Sequence, residues 1–127
     1  MKRDMELCRK ILFKIESEFK STALSNLEIS EYTMEKVAYH CNLLYENGLI
    51  SNYSCSYADN KIYSFCVGSL TWEGHDFIDN IREDTVWNKT KVLIKKGMLP
   101  MTLEVIKNIS SAVISSMMES TMKGMKN

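Results

Sequence analysis

A chain of 127 residues, 45% hydrophobic and 25% charged, suits a single soluble domain that buries its core without metal or disulfide support. Its 16 basic and 16 acidic side chains cancel, so their distribution carries more information than their sum. No apolar run approaches the roughly 20 residues of a membrane span. The opening MKRDMELCRK is charged throughout and lacks the apolar core of a signal peptide, so a cytoplasmic location follows by default.

Residues 1–20 carry six basic and four acidic side chains, and 28–61 carry Lys36 and Lys61 against five acids. Residues 71–85 set Arg82 against Glu73, Asp76, Asp79, Glu83 and Asp84, whereas 86–97 hold Lys89, Lys91, Lys95 and Lys96 with no acid. Cys8, Cys41, Cys55 and Cys66 form no C-x-x-C pair and have no histidine pair nearby, so no metal is expected and the thiols read as small reduced hydrophobes. No cofactor is expected either.

The first element is a helix from about Asp4 to Phe19, with Met5, Cys8, Leu12, Ile15 and Phe19 as its seam and Ile11 widening it. Turn-favouring residues 21–26 break the pattern, and the alternating Leu27-Glu28-Ile29 predicts a first strand that pairs with a later hairpin. The stretch YTMEKVAYHCNLLYENGLI (32–50) predicts the organising helix. Met34, Val37, Ala38, Cys41, Leu44 and Tyr45 recur at spacings of three and four, so they share one face. Thr33 caps its start and Gly48 supplies the left-handed residue at its end. A helix closed by N-G-L-I and followed by a hairpin is how winged-helix domains join a recognition helix to a wing. Only Ser30, Glu31 and Tyr32 stand where a usual winged helix has a further helix.

For the hairpin, a three-residue loop Asp59-Asn60-Lys61 places Ala58 opposite Ile62, Tyr57 opposite Tyr63, Cys55 opposite Phe65 and Tyr53 opposite Val67. Tyr53, Cys55, Tyr57, Tyr63, Phe65 and Val67 then share a face, and Cys55 and Cys66 point to opposite sides. Asn60 is the expected residue of positive φ. Thr71 caps a next helix that buries Trp72, Phe77, Ile78 and Ile81, with Glu73 and Asp76 favourably placed against its dipole. Asp84 or Thr85 caps another, to about Lys96, with Val86, Trp87, Thr90, Leu93 and Ile94 inward, the lysines outward and Gly97 closing it. Pro100 and Thr102 open a last helix whose stripe is Leu103, Ile106, Ile109, Val113 and Met117 and whose end is rich in methionine. The expected architecture is mainly α with a small β-sheet (α+β): a winged-helix part over 1–68 with a hairpin wing, and three extra C-terminal helices over 69–127.

Three stretches, MKRDMELCRKIL, VAYHCNLLYENGLI and LTWEGHDFIDNIREDTVWNKTK, carry a resemblance to a known family. With L-T-W-x-G-H-x-F and a following E-D-x-x-W (Glu83 to Trp87) as its specific signature, the chain resembles the domain-of-unknown-function 2513 family of uncharacterised bacterial and prophage proteins, from Met1 to about Ile109. The resemblance implies a winged-helix fold and a place near mobile elements. It brings no catalytic residues.

Several side chains are candidates for contact. Lys36, Tyr39, His40, Asn42 and Leu43 form the helix flank that would face a DNA groove, with Asp59, Asn60 and Lys61 at the wing and Lys89, Lys91, Lys95 and Lys96 as a basic patch. A duplex, with one charge per roughly 1.7 Å, needs several cations, and this helix offers one lysine beside Glu35 and Glu46. DNA is therefore weakly supported by charge, and a solvated or protein-covered face is the plainer reading. His75 among Glu73, Asp76 and Asp79 could act in acid–base or metal chemistry, but an i,i+4 pair with Asp79 is the ordinary alternative. Trp72 and Trp87 read as core or helix-junction anchors, with a place in a partner pocket as the alternative. Val113, Met117, Met118 and Met122 suit an adaptable interface, so homodimerisation through the C-terminal helices is expected, with packing across the first helix as its alternative. The leading expectation is a non-enzymatic regulatory protein of phage or mobile-element origin acting by DNA binding in transcriptional control. The alternative is a protein-interaction module on the same scaffold without DNA binding.

Overall fold

In the computed structural model, residues 1–125 are described. Five helices and a three-stranded antiparallel sheet give a mixed α+β fold. Their order is α1 (Met5–Glu18), β1 (Leu24–Ser25), α2 (Met34–Glu46), β2 (Tyr53–Ala58), β3 (Lys61–Val67), α3 (Trp72–Asn80), α4 (Asp84–Lys96) and α5 (Leu103–Met125). The chain divides into two compact units, one of Met1–Asp76 and one from Phe77 onward, so the division falls within α3 rather than before it.

In the first unit α1 packs on α2, and α2 packs on β2 and β3. Leu7, Cys8, Ile11, Leu12 and Ile15 of α1 are buried with Val37, Ala38, Cys41 and Leu44 of α2. Leu7 joins the expected seam, while Phe19 is only half-buried because it is the residue after the helix, its N–H closing onto the Ile15 carbonyl. Met34 and Tyr45 occupy the two ends of α2 and are 41% and 42% exposed rather than core.

The expected strand over 27–29 is displaced to Leu24–Ser25, which pairs with Val67 and Cys66 of β3. Asn26 explains the shift. Its φ of 49° ends the ladder, and it brackets Phe65, donating its N–H to the Phe65 carbonyl (2.8 Å) and accepting the Phe65 N–H on its side-chain oxygen (2.9 Å). Leu27 is then buried as an anchor beyond the strand.

The hairpin keeps the expected pairs Tyr53–Val67 and Cys55–Phe65, but its loop has two residues, not three. Asp59 (φ 52°) and Asn60 (φ 62°) both take the left-handed conformation, the signature of the turn type whose twist matches two-residue hairpins. A bulge restores the faces: past Ser56–Ser64 the pairing resumes at Tyr57–Ile62, leaving Tyr63 as the extra residue. Ile62 therefore takes the inward place expected for Tyr63, which is 72% exposed.

Gly48 (φ 76°) closes α2, with its N–H on the Tyr45 carbonyl and the Leu49 N–H on the Leu44 carbonyl. That corner seats the start of α3. The Thr71 hydroxyl donates to the Gly48 carbonyl and accepts the Gly74 N–H (3.0 Å). A Cβ on Gly74 would strike the Leu49 carbonyl oxygen. Gly74 thus packs on a backbone corner and not on another helix. Trp72 lies two residues away, roughly 200° round the helix, so it points outward and is 79% exposed instead of forming a core anchor.

In the second unit Phe77, Ile78 and Ile81 are buried, and α4 packs against α5. Val86, Trp87, Thr90 and Ile94 of α4 are buried as expected, whereas Leu93 lies on the outer flank, 42% exposed. The buried stripe of α5 is Ile106, Ser110 and Val113, and Met117 is beyond it. At the end of α4 the left-handed residue is Met98 (φ 55°), with Gly97 still right-handed (φ −79°).

Two substitutions follow from these corners. Gly74→Ala should lower the free energy of urea unfolding by about 2 kcal/mol or more, because a rigid carbonyl has to move. Met98→Gly should raise it by about 1 kcal/mol, by removing a left-handed side chain. Both are read from urea titrations followed by circular dichroism.

Candidate functional site

The α2 flank chosen from the sequence divides into an inner and an outer part. His40 is fully buried. Its Nε2 accepts the main-chain N–H of Asp4 at 2.8 Å, which leaves Nδ1 to carry the proton and donate to the Lys36 carbonyl at 2.8 Å. The histidine is a strut between α1 and α2, not a contact residue. Lys36 is drawn to the same place, its Nζ 3.7 Å from the Asp4 carboxylate and 5.2 Å from the Tyr32 ring centre. Asp4 also caps α1 by accepting the Leu7 N–H (3.2 Å) and receives the Tyr32 hydroxyl (3.5 Å). The single cation of the expected recognition face is thus paired with a carboxylate of this chain, at a part-exposed site. Leu43 is half-buried and stands apart from the groove described next.

Tyr39 and Asn42 do come together with the hairpin. They line a groove of about 690 Å³ with Glu35 on one wall and Tyr53, Cys55, Tyr57, Asn60, Lys61 and Ile62 on the other. Met1 completes its rim. Asp59 lies at the turn but outside this lining. The groove is aromatic, with Glu35 and Lys61 as its charged side chains. The Tyr53 hydroxyl is pushed well above its ordinary pKa, first by burial and then by hydrogen bonding to Cys55, so it stays a neutral donor. The tyrosines of β2 and Glu35 were missed as site residues. The signal available is the alternation Tyr53, Cys55, Tyr57, which places them on one face of the hairpin without marking that face as a site.

Residues 2–99 match the family described as "Hypothetical protein (DUF2513)". The chain belongs to that family. An uncharacterized protein of Haemophilus influenzae is 40% identical over 121 residues, covering 93% of this chain and 99% of its own. No solved structure matches. The DUF2513 match spans α1 to α4 and stops at Leu99, before α5 begins.

The remaining candidates are not among the residues that line the groove. Within the second unit, Lys89, Lys95 and Lys96 are exposed on α4, and Lys91 lies over the Trp87 ring at 5.4 Å. Val113 is buried in the core and cannot serve as an interface residue, whereas Met117, Met118 and Met122 are 42%, 58% and 57% exposed. Those three methionines line a second groove of about 540 Å³ with Ile114 and Val86. His75 does not pair with Asp79; its Nδ1 lies 3.8 Å from Glu16, and Asp79 is taken by Arg82 at 2.8 Å. Among the described residues no cluster of His, Cys, Asp or Glu is arranged to hold a metal ion. No helix of the described residues is long and apolar enough to cross a membrane.

The thiols beneath α2 make a pH test. Burial pushes Cys8 up to about 12, with Asp4 adding and Arg3 opposing, and burial with the neighbouring Cys8 pushes Cys41 to about 12. Both start from an ordinary 9.0, so the unfolded chain ionises first. Their contribution to stability is complete below about pH 9 and is lost as pH rises toward 12. The urea midpoint should fall across that window, and the fall should be about half as large in Cys41→Val.

Proposed function

We propose that this protein is a non-catalytic, cytoplasmic accessory protein, of phage or mobile-element origin, that binds another protein through the groove between α2 and the hairpin. The proposal reads the first unit as a winged-helix scaffold, with α2 in the place of the recognition helix and β2–β3 as the wing. One observation carries the choice of partner: Lys36 and His40, the groups that would have met a phosphate backbone, are engaged at Asp4. What remains on the open side is Tyr39, Asn42, Tyr53 and Tyr57 with one acid and one base. Aromatic residues of this kind supply large contact area at low entropic cost and are favoured at binding hot spots. Duplex binding would depend on neutralising several phosphates, which this surface does not offer.

A second reading, duplex DNA binding in transcriptional control, is favoured by the hairpin tip alone, where Lys61 and Asn60 border the groove. The two readings separate in one experiment. A photo-crosslinking amino acid at Tyr39 should capture a discrete partner from cells carrying the protein, and the same group at the exposed Val92 should not. Tyr53→Ala should weaken that partner's binding about 30-fold or more. A labelled random duplex titrated at low salt should show no anisotropy change. Salt-sensitive duplex binding abolished by Lys61→Ala, with no adduct at Tyr39, would replace the protein-binding reading with the DNA one.

A further inference from the structure

β2 lies at the outside of the sheet, whose order is β1-β3-β2. The direction of its main chain can be worked out from β3. Phe65 exchanges both of its main-chain hydrogen bonds with Asn26, on the β1 side, so it offers none to Cys55 opposite. In an antiparallel ladder such a pair turns both partners' N–H and C=O groups away from each other. Cys55 therefore presents its N–H and C=O to the open edge. By the same alternation so does Tyr53, while the Asn52 carbonyl faces inward to the Gly68 N–H (2.9 Å).

Exposed edges of monomeric proteins are blunted by lysine, proline or an inward charge, or by a bulge on the edge strand itself. β2 has none of these. Tyr53 to Ala58 contains no charged residue and no proline, and the bulge places its extra residue on β3. The strand is also a palindrome, Tyr53-Ser54-Cys55-Ser56-Tyr57. Laid antiparallel against a second copy and centred on Cys55, it sets Tyr53 against the other Tyr57, Ser54 against the other Ser56, and Cys55 against itself. Aromatic pairs and hydroxyl pairs are the favourable cross-strand partners, and no like charges meet. Cβ atoms of a hydrogen-bonded antiparallel pair lie about 5.5 Å apart, wider than a disulfide takes but within reach of a short thiol-to-thiol linker.

We propose that two copies of this chain associate through the open edges of β2, antiparallel and in register about Cys55, to form one continuous six-stranded sheet. Each copy supplies the same patch to the other, as a two-fold interface requires. The pairing engages the edge of the strand whose Tyr53, Cys55 and Tyr57 also line the groove, and it is separated from the partner reading above by changes at Ser54 and Ser56, which lie outside that lining.

The test is a charge-swap series on Ser54 and Ser56, both exposed on the face away from the groove side chains. Wild-type protein should sediment as a dimer at tens of micromolar. The pair Ser54→Lys with Ser56→Lys sets lysine against lysine twice and should weaken association at least tenfold. The pair Ser54→Lys with Ser56→Glu sets lysine against glutamate and should restore it; a restored dimer also shows that the altered strand still folds. A short bis-maleimide, which adds one facing thiol to each of its two ends, should cross-link wild type and Cys66→Ala but not Cys55→Ala. A wild-type monomer with no cross-link at Cys55 overturns the proposal. So does a dimer that ignores the lysine pair and dissociates instead in Met118→Lys on α5.

Discussion

The hydrogen bond from the Asp4 main chain to His40 is the contact on which the first unit turns. It joins the residue just before α1 to the middle of α2, inside the protein, at 2.8 Å. A buried imidazole needs both nitrogens satisfied, and here one accepts from Asp4 while the other donates to the Lys36 carbonyl one turn back. The Asp4 carboxylate then caps α1 and collects Tyr32 and Lys36. With α1 fastened this way, Leu7, Ile11 and Ile15 stay buried in the same unit as Val37, Cys41 and Leu44, and Cys8 and Cys41 become thiols that resist ionisation.

That knot decides what α2 has left to offer. A helix beside a hairpin is the arrangement that many unrelated activities share, and the side chains on its free face, not the arrangement, select among them. Here the imidazole is buried against the Asp4 main chain and Lys36 pairs with the Asp4 carboxylate, and the free face is Tyr39 and Asn42 opposite the tyrosines of β2. The exposed methionine stripe of α5 lies beyond the part of the chain matched by the DUF2513 family.

Much of the fold was legible because local signals agreed with one another. Thr33 and Thr71 cap where short polar side chains precede apolar periodicity, Gly48 ends α2, and the alternation of β2 against β3 placed Cys55 opposite Phe65. What escaped depends on contacts distant in sequence or on a rare backbone choice. Asn26 ends β1 by gripping Phe65, 39 residues away, and no local pattern announces that. The three-residue loop looked necessary to keep the faces sorted, but a bulge at Tyr63 achieves the same with two left-handed residues. Met98 holds the left-handed place beside a glycine that was free to take it. His40 looked like a contact residue because its partner is a main-chain N–H, which carries no sequence signature at all.

The central claim is that His40 is an internal strut with a fixed tautomer. Long-range proton–nitrogen correlation of the histidine rings, in uniformly nitrogen-15-labelled protein at neutral pH, reads that tautomer directly. The expected result is one ring with its proton on Nδ1 and an acceptor-type Nε2, unchanged when the protein's partner or a duplex is added. A proton on Nε2, or a ring averaging between tautomers as a solvent-exposed histidine does, would contradict it and return His40 to the surface of α2.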